Sequence, residues 1–440
     1  MNETAWDTLV LGGTVLTMEE GAEPIPNGAV AIADGRIAAV GAADELMDVA
    51  PTVETIRATD CLILPGLVNT HSHLAMTLLR GIADDLPLRE WLEQHIWPAE
   101  REHMTRDSVR AGTTLAVAEQ LLAGITTTTD MYFFGDAVAE VLAAAGMRGV
   151  VAESLIDFAT PRCKTPEEMA ERQLELIDAY RDHPLVIPSV AAHAPYSVGP
   201  QSLVREAEIA EEHGVPLQIH IAETRWEVQK LLEDKGMSPV VYLADLGVLT
   251  DRTVAAHCVH VSPEDIDILA EFEVGVSHNP VSNLKLASGV APVPAMIERG
   301  VAVGLGTDGT ASNNTLDLLR DLQLTALLHK GTSGDPTALP ARSLVEMATR
   351  TGAAVLGLED RIGTLAPGYE ADLICLSTAG PHATPLYDPY SHIVFAARGS
   401  DVRHVMVRGR LLVHDRKLLT VDLDEATTRV VEIAARIRGT

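Results

Sequence analysis

Two histidines, His71 and His73, close the run LPGLVNTHSH and have the spacing of metal ligands. Side chains at positions i and i+2 of a strand point to the same side, so both imidazoles can reach one ion. Imidazole is a common ligand of zinc and similar metals. More candidate ligands follow separate apolar runs: His193, His220, His257, His278 and Asp308. Taken singly, each histidine is equally a hydrogen-bonded core residue and Asp308 a turn residue, but their repetition predicts a metal site.

The apolar runs before these residues predict how they are brought together. Each run is short, is rich in β-branched or small residues and precedes a helical pattern, which is typical of buried parallel strands alternating with crossover helices. Thr165 and Ser262, each followed by proline and acidic residues, mark helix starts, and Gly214 marks a helix end. This unit recurs about every 25–35 residues from Leu67 to Gly357, which predicts a (β/α)8 barrel with one shared mouth.

The chain is longer than one barrel. Its 440 residues exceed the roughly 250 residues that such a barrel needs, so a second module is expected. Alternating strand patterns with turns occur near both termini, at residues 8–11, 28–32, 36–40, 371–376, 392–396, 404–407 and 410–414. We therefore predict a catalytic barrel over residues 64–367, and a β-rich module shared between residues 1–63 and 368–440.

Composition excludes several classes of partner. The net charge is −29, from 33 Lys and Arg against 62 Asp and Glu, so phosphate backbones and acidic membranes are repelled. The four cysteines form no C-x-x-C motif, which argues against a disulfide framework or a thiolate metal site. The N-terminal residues lack a signal-peptide pattern, and no stretch approaches ~18 apolar residues. We expect a cytoplasmic protein that binds neither nucleic acid nor membranes.

A set of motifs in a fixed order carries a family resemblance. The motifs are PGLVNTHSH, LPLREWL at 86–92, HAPYS from His193, HIAET at 220–224, HCVH at 257–260, SHNPVSN at 277–283 and GTDGTASNNTLDLL at 306–319. Together they resemble the amidohydrolase superfamily, and within it the deaminases of adenine nucleosides. The resemblance covers nearly the whole chain. It implies a TIM-like metal-dependent hydrolase barrel of the α/β class, with a small β-sandwich formed by both termini.

The resemblance also implies a single metal site. His71 and His73 after the first barrel strand, His220 after the fifth and Asp308 after the eighth would hold one divalent metal per subunit, with a position left for water. Family members with two metals usually bridge them with a modified lysine at the fourth strand. No lysine lies between Lys164 and Lys230 here, so we expect one ion: Zn²⁺, with Fe²⁺ or Mn²⁺ as alternatives.

Proton transfer is assigned to three residues. A bound divalent ion lowers the pKa of water toward neutrality. Asp308 can accept the proton of that water, while His257 holds the water on the other side. Glu223, three residues after His220, can protonate a ring nitrogen of an amidine-like heterocycle and then supply a proton to the leaving amine. A solvated loop acid and a core histidine are the alternative interpretations of Glu223 and His257.

Glu100 and His193 carry the substrate hypothesis. In the deaminases that this chain resembles, a glutamate after LPLREWL holds the ribose hydroxyls and a fourth-strand histidine reaches the nucleoside from the other side; the matching residues are Glu100 and His193. An ionised carboxylate suits a vicinal diol because it offers two acceptor oxygens. We expect hydrolytic deamination of 5′-methylthioadenosine, adenosine or S-adenosylhomocysteine to the inosine analogue and ammonia, by a homo-oligomer.

One departure from the family pattern bears on the substrate. Relatives that bind S-adenosylhomocysteine tend to have an arginine a few residues after the Gly-Met-Arg turn of the third strand, where this chain has Glu153. A carboxylate there would repel the carboxylate of that substrate. Unless Arg162 takes over the pairing, the pattern favours 5′-methylthioadenosine or adenosine.

Three other functions remain open at this point. A triazine or chloro-heterocycle hydrolase would use the same metal on a similar ring, and another purine or pterin deaminase would share the same proton chemistry. A catalytically inactive barrel used as a binding module is the alternative from outside enzymology. The complete set of metal and proton-transfer residues argues against that last function, because loss of activity usually leaves gaps in such a set.

Overall fold

The computed structural model describes residues 6–49 and 54–438 and contains a closed parallel barrel. The first barrel strand pairs with the second and, through Asn69 and Leu305, with the eighth, while the third strand pairs with both parts of the fourth. In chain order the barrel strands are Leu67–Asn69, Ile125–Tyr132, Arg148–Leu155, the two-part strand Val186–Pro188 and Val190–Ala192, Leu217–Ile221, Thr253–His257, Gly275–His278 and Val303–Leu305. The predicted fold class is confirmed.

The barrel strands are buried on both faces. Ile125–Tyr132, with the sequence ITTTTDMY, is buried at every position, because one face fills the barrel and the other meets the surrounding helices. β-Branched residues suit such strands since they pack well on a pleated surface. The strands run in one direction, so their carboxyl ends meet at one mouth.

Helices and short helical turns connect the strands. Ser262 and Asp265 form a reciprocal capping box, and Gly214 ends its helix with a φ of +65°. Thr165 caps its helix by accepting from Glu168 N, but the Glu168 carboxylate accepts from Lys164 N rather than completing the box. The α-helices are Ala43–Val49, Leu88–Trp91, Trp97–His103, Arg106–Leu122, Gly135–Ala145, Pro166–Tyr180, Pro200–His213, Arg225–Lys235, Pro239–Asp245, Pro263–Glu271, Pro280–Lys285, Val293–Glu298, Leu318–Ser333, Ala341–Met347, Arg350–Val355, Pro389–Phe395 and Leu423–Arg438. Leu92–Ile96 is a π-helix, and Leu74–Leu79, Pro381–Ala383 and Gly399–Asp401 are 3₁₀ turns.

Over the described parts of residues 6–65 and 373–418, the terminal module is a nine-stranded sheet built from both ends of the chain. Its central pairing is antiparallel and joins Cys61–Pro65 to Leu373–Ser377. Its core likewise combines residues of both segments, such as Val30 and Met406. The strands are Thr8–Val15, Ile25–Ala33, Arg36–Ala42, Glu54–Arg57, Cys61–Pro65, Leu373–Ser377, Val402–Val407, Arg410–His414 and Lys417–Leu418. The boundaries predicted at residues 64 and 367 stay predictions.

One predicted strand of this module is wrong. Residues 392–396 lie in the helix Pro389–Phe395 and the residue that follows it. Asp388 accepts from Tyr390 N and Ser391 N, and proline occupies the first helical position. These start signals outweigh the strand-like run HIVFA because they satisfy the free backbone donors of a first turn.

A buried ion network joins the terminal module to the barrel at the end opposite the mouth. Arg148, the first residue of the third barrel strand, is fully buried and bonds Asp372 at 2.9 Å and Glu370 at 2.6 Å.

The C-terminal helix Leu423–Arg438 packs against the barrel helix Arg106–Leu122. Within the described parts of the chain, none of the helices is both long and apolar enough to cross a bilayer.

Candidate active site

The centre of the barrel mouth contains five of the six residues predicted to bind metal or transfer protons, and the sixth, Glu223, lies beside them. His71 and His73 follow the first strand, His220 lies one residue before the end of the fifth, His257 ends the sixth and Asp308 follows the eighth. All five are buried. Strand direction alone brings them together, since they are separated by up to 237 residues in sequence, from 71 to 308.

The donor atoms of these residues form one compact cluster. Asp308 Oδ1 lies 3.4 Å from both His71 Nε2 and His73 Nε2, and the rings of His71 and His220 have centroids 4.9 Å apart. Two overlapping triads have donor atoms within 4.8 Å of one another: His71 with His73 and Asp308, and His71 with His220 and His257. The cluster thus contains the four predicted ligands, with His257 beside them.

Hydrogen bonds leave the ligating nitrogens free. His73 Nδ1 lies 2.8 Å from Met131 O, and His220 Nδ1 lies 2.7 Å from His193 O. A carbonyl oxygen can only accept, so each Nδ1 donates and each Nε2 keeps its lone pair. His71 Nε2 is buried and has no hydrogen-bond partner among the residues that the structure describes. These nitrogens, together with a carboxylate oxygen, fit a divalent metal ion.

The protonation states also suit metal binding. Burial lowers the pKa of His71 to about 4, although Asp308 opposes the shift. Burial also lowers the pKa of His220 well below its ordinary value. Burial would raise the pKa of Asp308, but neighbouring His71 outweighs it and holds that pKa well below its usual range. At neutral pH the site therefore presents neutral imidazoles and an ionised carboxylate.

Asp308 is held by three donors and by an unusual backbone. Ser282 Oγ and Ser312 Oγ donate to its Oδ2 at 2.6 and 2.8 Å, and Gly309 N donates to its Oδ1 at 2.7 Å. Its φ is +61°, in the left-handed region that a non-glycine residue rarely adopts. The turn expected at Asp308 is therefore present, and strain of this kind clusters at functional sites.

His257 and Glu223 face each other beside the donor cluster. His257 Nδ1 lies 2.8 Å from Asn283 Oδ1, and His257 Nε2 lies 3.9 Å from Glu223 Oε2. Burial raises the pKa of Glu223, although His257 opposes the shift. The buried carboxylate of Glu227 fixes the loop by accepting from Ala222 N and Glu223 N, both at 2.8 Å. The Glu223 backbone is thus held in place, and burial shifts its carboxyl group toward the protonated form.

Glu100 and His193 line the same cavity as Glu223, His257 and Asp308. Tyr132 donates to Glu100 Oε1 at 2.6 Å. Burial raises the pKa of Glu100 to about 8, although the Tyr132 hydrogen bond opposes the shift. The structure therefore brings the two predicted substrate residues to the proton-transfer residues.

A second, larger cavity of about 820 Å³ adjoins the first. It is lined by aromatic and aliphatic side chains and by charged groups such as Arg225 and Lys230. Six residues line both cavities and so join them: Leu88, Leu92, Trp97, Phe158, Tyr196 and Leu286. The first cavity, which contains Glu100, His193 and the proton-transfer candidates, is called the inner cavity. A ligand bound there can extend past these six residues into the larger cavity.

Glu153 and Arg162 pair with each other away from the two cavities. Glu153 accepts from Gly135 N at 2.8 Å and from Arg162 Nη1 at 3.0 Å, and neither side chain is among the lining residues of the two cavities. The neighbouring Ser154 does line the inner cavity. Successive strand residues point to opposite faces, so Glu153 faces the helix layer, and the substrate preference inferred from it loses its basis.

Several residues of the site were missed by sequence reasoning. Their side chains hold the predicted residues in place, and they are Tyr132, Ser282, Asn283, Ser288 and Ser312. Three of them lie within motifs that carried the family resemblance, SHNPVSN and GTDGTASNNTLDLL. The motifs thus contained these residues, but the hydrogen-bond partner of a hydroxyl or amide group is determined only when two loops come together in the fold.

Comparison with known proteins identifies the family of the chain. Residues 62–412 match the model of the amidohydrolase family. The chain belongs to that family. The predicted superfamily, and with it a metal-dependent aminohydrolase, is therefore confirmed.

Individual members of the amidohydrolase family resemble the chain over its full length. The 5-methylthioadenosine/S-adenosylhomocysteine deaminase of Syntrophobacter fumaroxidans is 48% identical over 438 residues, which is 100% of each chain. Among solved structures, an adenosine deaminase from Xanthomonas campestris with bound zinc is 37% identical, covers 99% of each chain and gives a TM-score of 0.96. An atrazine chlorohydrolase from Arthrobacter aurescens complexed with zinc is 27% identical, with a TM-score of 0.91 over 97% of this chain and 100% of that one.

Proposed function

We propose that this amidohydrolase converts adenine nucleosides to the inosine analogue and ammonia, with 5′-methylthioadenosine, adenosine and S-adenosylhomocysteine as the candidate substrates. One observation carries the proposal: a buried carboxylate suited to a ribose diol, Glu100, lines the same cavity as the proton-transfer residues Glu223 and Asp308. The relatives named as deaminases of such nucleosides support it.

The metal proposed for the site is one Zn²⁺ per chain, held by His71, His73, His220 and Asp308, with Fe²⁺ or Mn²⁺ as alternatives. The unpartnered His71 Nε2 and the free Nε2 atoms of His73 and His220 support this ligand set, and solved neighbours with zinc support the ion. When bound, the ion supplies Lewis acidity toward a water molecule.

The protein's own groups move the protons. Asp308 accepts a proton from the attacking water, and His257, oriented by Asn283, holds that water from the opposite side. Glu223 protonates a ring nitrogen, which makes the adjacent carbon electrophilic. Water adds to that carbon, which then carries a hydroxyl group and the amino group. The ionised Glu223 takes the hydroxyl proton and passes it to the amino group, so the carbonyl forms as the bond to nitrogen breaks and ammonia leaves. The proton held by Asp308 then returns to Glu223, which restores both groups.

Glu100 and His193 orient the nucleoside. The Tyr132 hydrogen bond engages Glu100 Oε1, so we assign Oε2 to a ribose hydroxyl. A substituent on the 5′ carbon would extend past Trp97 and Phe158 into the larger cavity. This route fits nucleosides that carry a long thioether group as well as those that do not.

Ammonia release from a substrate panel tests the function. The panel is adenosine, 5′-methylthioadenosine, S-adenosylhomocysteine, guanine and a chlorotriazine, assayed side by side with chloride release from the last compound. We expect the adenine nucleosides to have the highest kcat/KM. Turnover of the chlorotriazine alone, or of guanine alone, would overturn the proposal.

A matched pair of variants tests the ribose contact. Assayed above the pKa of about 8, where Glu100 is ionised, Glu100→Gln should raise KM for an adenine nucleoside by about 10–100-fold, because a hydrogen bond to a charged group contributes ~1.5–3 kcal/mol. Glu102→Gln, on the same helix but exposed, should leave KM unchanged. An unchanged KM in Glu100→Gln would remove the assigned ribose role.

A further inference from the structure

A cap segment, residues 81–103, lies between the first barrel strand and the helix Arg106–Leu122. It begins as a loop and continues as the helices Leu88–Trp91, Leu92–Ile96 and Trp97–His103. Trp97 and Glu100 of this segment line the inner cavity. The placement of the cap segment therefore sets the position of the proposed ribose contact.

The loop of the cap segment has little intrinsic preference for its observed path. Ala83 and Asp85 have φ values of +55° and +66°, which side chains with a Cβ rarely adopt. Such a backbone persists only when surrounding contacts hold it. Asp84, between these two residues, provides the contact.

Lys285 ties the cap segment to two other loops of the mouth. Its Nζ donates to Asp84 Oδ1 at 2.6 Å, to Ala311 O at 3.1 Å and to Asn314 Oδ1. An ammonium group has three hydrogens, so each has an acceptor, one on the cap segment and two on the loop after the eighth strand. The Lys285 side chain is 22% exposed, which shields the contact partly from water.

The loop and helix that Lys285 joins are those that orient the proton-transfer residues. Lys285 ends the helix Pro280–Lys285, in which Ser282 bonds Asp308 and Asn283 bonds His257. Ala311 precedes Ser312, which also bonds Asp308. Lys285 is therefore in contact with the cap segment on one side and with the supports of the proton-transfer residues on the other.

We propose that Lys285 is a positioning residue. It holds Glu100 of the cap segment in a position from which Glu100, Glu223 and Asp308 can contact one bound nucleoside. The proposal rests on the nucleoside function above. Lys285 is absent from the lining of both cavities, so it acts through the residues it positions. Its ion pair with Asp84 sets how often the cap segment occupies the binding-competent position.

Two measurements on Lys285→Met test this role. KM for an adenine nucleoside should rise about tenfold, as expected when a partly shielded charged hydrogen bond is lost. Backbone amides of residues 81–103 should exchange faster with deuterium in the substrate-free protein, while those of Pro263–Glu271 should not change. In a Glu100→Gln background, Lys285→Met should raise KM less than about threefold, because the residue it acts through is already altered.

Further variants keep the outcome decisive. Asp84→Asn, on the exposed side of the same ion pair, should reproduce the faster exchange in milder form, and it serves as the test if Lys285→Met does not fold. Arg299→Met breaks an ion pair of 2.8 Å with Asp267 on the outer helices and should change neither KM nor exchange of the cap segment. Wild-type KM and exchange in Lys285→Met, or an undiminished effect in the Glu100→Gln background, would overturn the proposal. If the wild-type enzyme turns over no adenine nucleoside, the proposed function fails, while deuterium exchange still shows whether Lys285 holds the cap segment.

Discussion

Backbone carbonyl oxygens determine the tautomers of two histidines in this site. Met131 O and His193 O each accept a hydrogen bond from Nδ1 of a proposed ligand histidine, which fixes the tautomer without any ionisable group. His257 differs, because its Nδ1 meets the side-chain oxygen of Asn283. Burial would lower the pKa of His257, but Glu223 and Asp308 outweigh it and raise that pKa. The histidine assigned to the water is thus the one that can gain a proton.

Glu223→Gln tests the assigned acid. The amide preserves the shape of the side chain but cannot deliver a proton, so kcat should fall by about 10²–10⁴-fold while the metal content stays the same. Steady-state ammonia release and elemental analysis of the same preparation measure both. Glu233→Gln, exposed on the following helix, is the control and should retain full activity. Near-normal turnover in Glu223→Gln would mean that another group supplies the proton.

Sequence spacing predicted which candidate ligands converge better than it predicted the residues around them. His71, His73 and His220 stand at strand ends, and strand direction determines where such residues meet. Glu153 was misplaced because the alternation of strand faces depends on a register that the apolar pattern leaves uncertain by one residue. Ser282 and Ser312 were missed because a serine hydroxyl suits many local partners. Their bonds to Asp308 arise only when the loops after the seventh and eighth strands approach each other.

At the scale of elements, the barrel and the terminal sheet are joined by charge as well as by apolar packing. Arg148 begins a barrel strand, whereas Glu370 and Asp372 belong to the terminal segment. Burying ions costs solvation energy, which good geometry must offset. Here Arg148 bonds both carboxylates, and Glu370 also pairs with Arg361 at 2.8 Å. This network lies opposite the mouth, where barrel residues typically serve stability rather than catalysis.

Arg148→Met should lower the free energy of unfolding by about 3–5 kcal/mol, because it removes the guanidinium that pairs with the buried carboxylate of Asp372 and leaves Glu370 only its outer arginine partners. Urea denaturation of the metal-loaded protein measures the change. Arg205→Met is a matched control, since Arg205 pairs with Glu208 on an exposed helix face and its loss should cost less than about 1 kcal/mol. Equal effects of the two substitutions would contradict a role of Arg148 in joining the modules.

The same network predicts a pH dependence. Burial would raise the pKa of Glu370, but Arg148 and Arg361 outweigh it, so the folded-state pKa lies below the ordinary value of 4.5. A depressed pKa contributes stability above the unfolded-state pKa, and this contribution is lost as pH falls below 4.5 toward the folded-state value. Glu370→Gln should therefore flatten the acid limb of a stability-against-pH curve. A curve with the same slope in both proteins would show that other groups control acid unfolding.

At the scale of the whole molecule, the metal site connects distant parts of the chain. Its proposed ligands lie on the first, fifth and eighth strands, so an ion bound there adds cross-links around the barrel. A ligand that binds only the folded state stabilises it by mass action. Stability and activity should thus depend on the same ion.

Elemental analysis of the active enzyme should find about one zinc or similar first-row metal per chain. Removing it with a chelator should abolish ammonia release and lower Tm, and adding the metal back should restore both. His71→Ala should lose the metal, whereas His213→Ala, on an outer helix, should keep it. Two tightly bound metals per chain, or none in active enzyme, would exclude the single-ion site.

The pairing of Cys61–Pro65 with Leu373–Ser377 joins two strands that the ribosome synthesises at widely separated times. The ribosome makes roughly 300 further residues before the second strand exists, a delay of about 15–60 s at ~5–20 residues per second. During that time the wholly buried, apolar strand Cys61–Pro65 can pair with Thr8–Val15 on one edge but has no partner on the other edge. Unpaired strand edges promote association between chains. Nascent chains stalled before Leu373 should therefore recruit chaperones at residues 61–65, which site-specific crosslinking would detect, and chains released after Arg410–His414 should not.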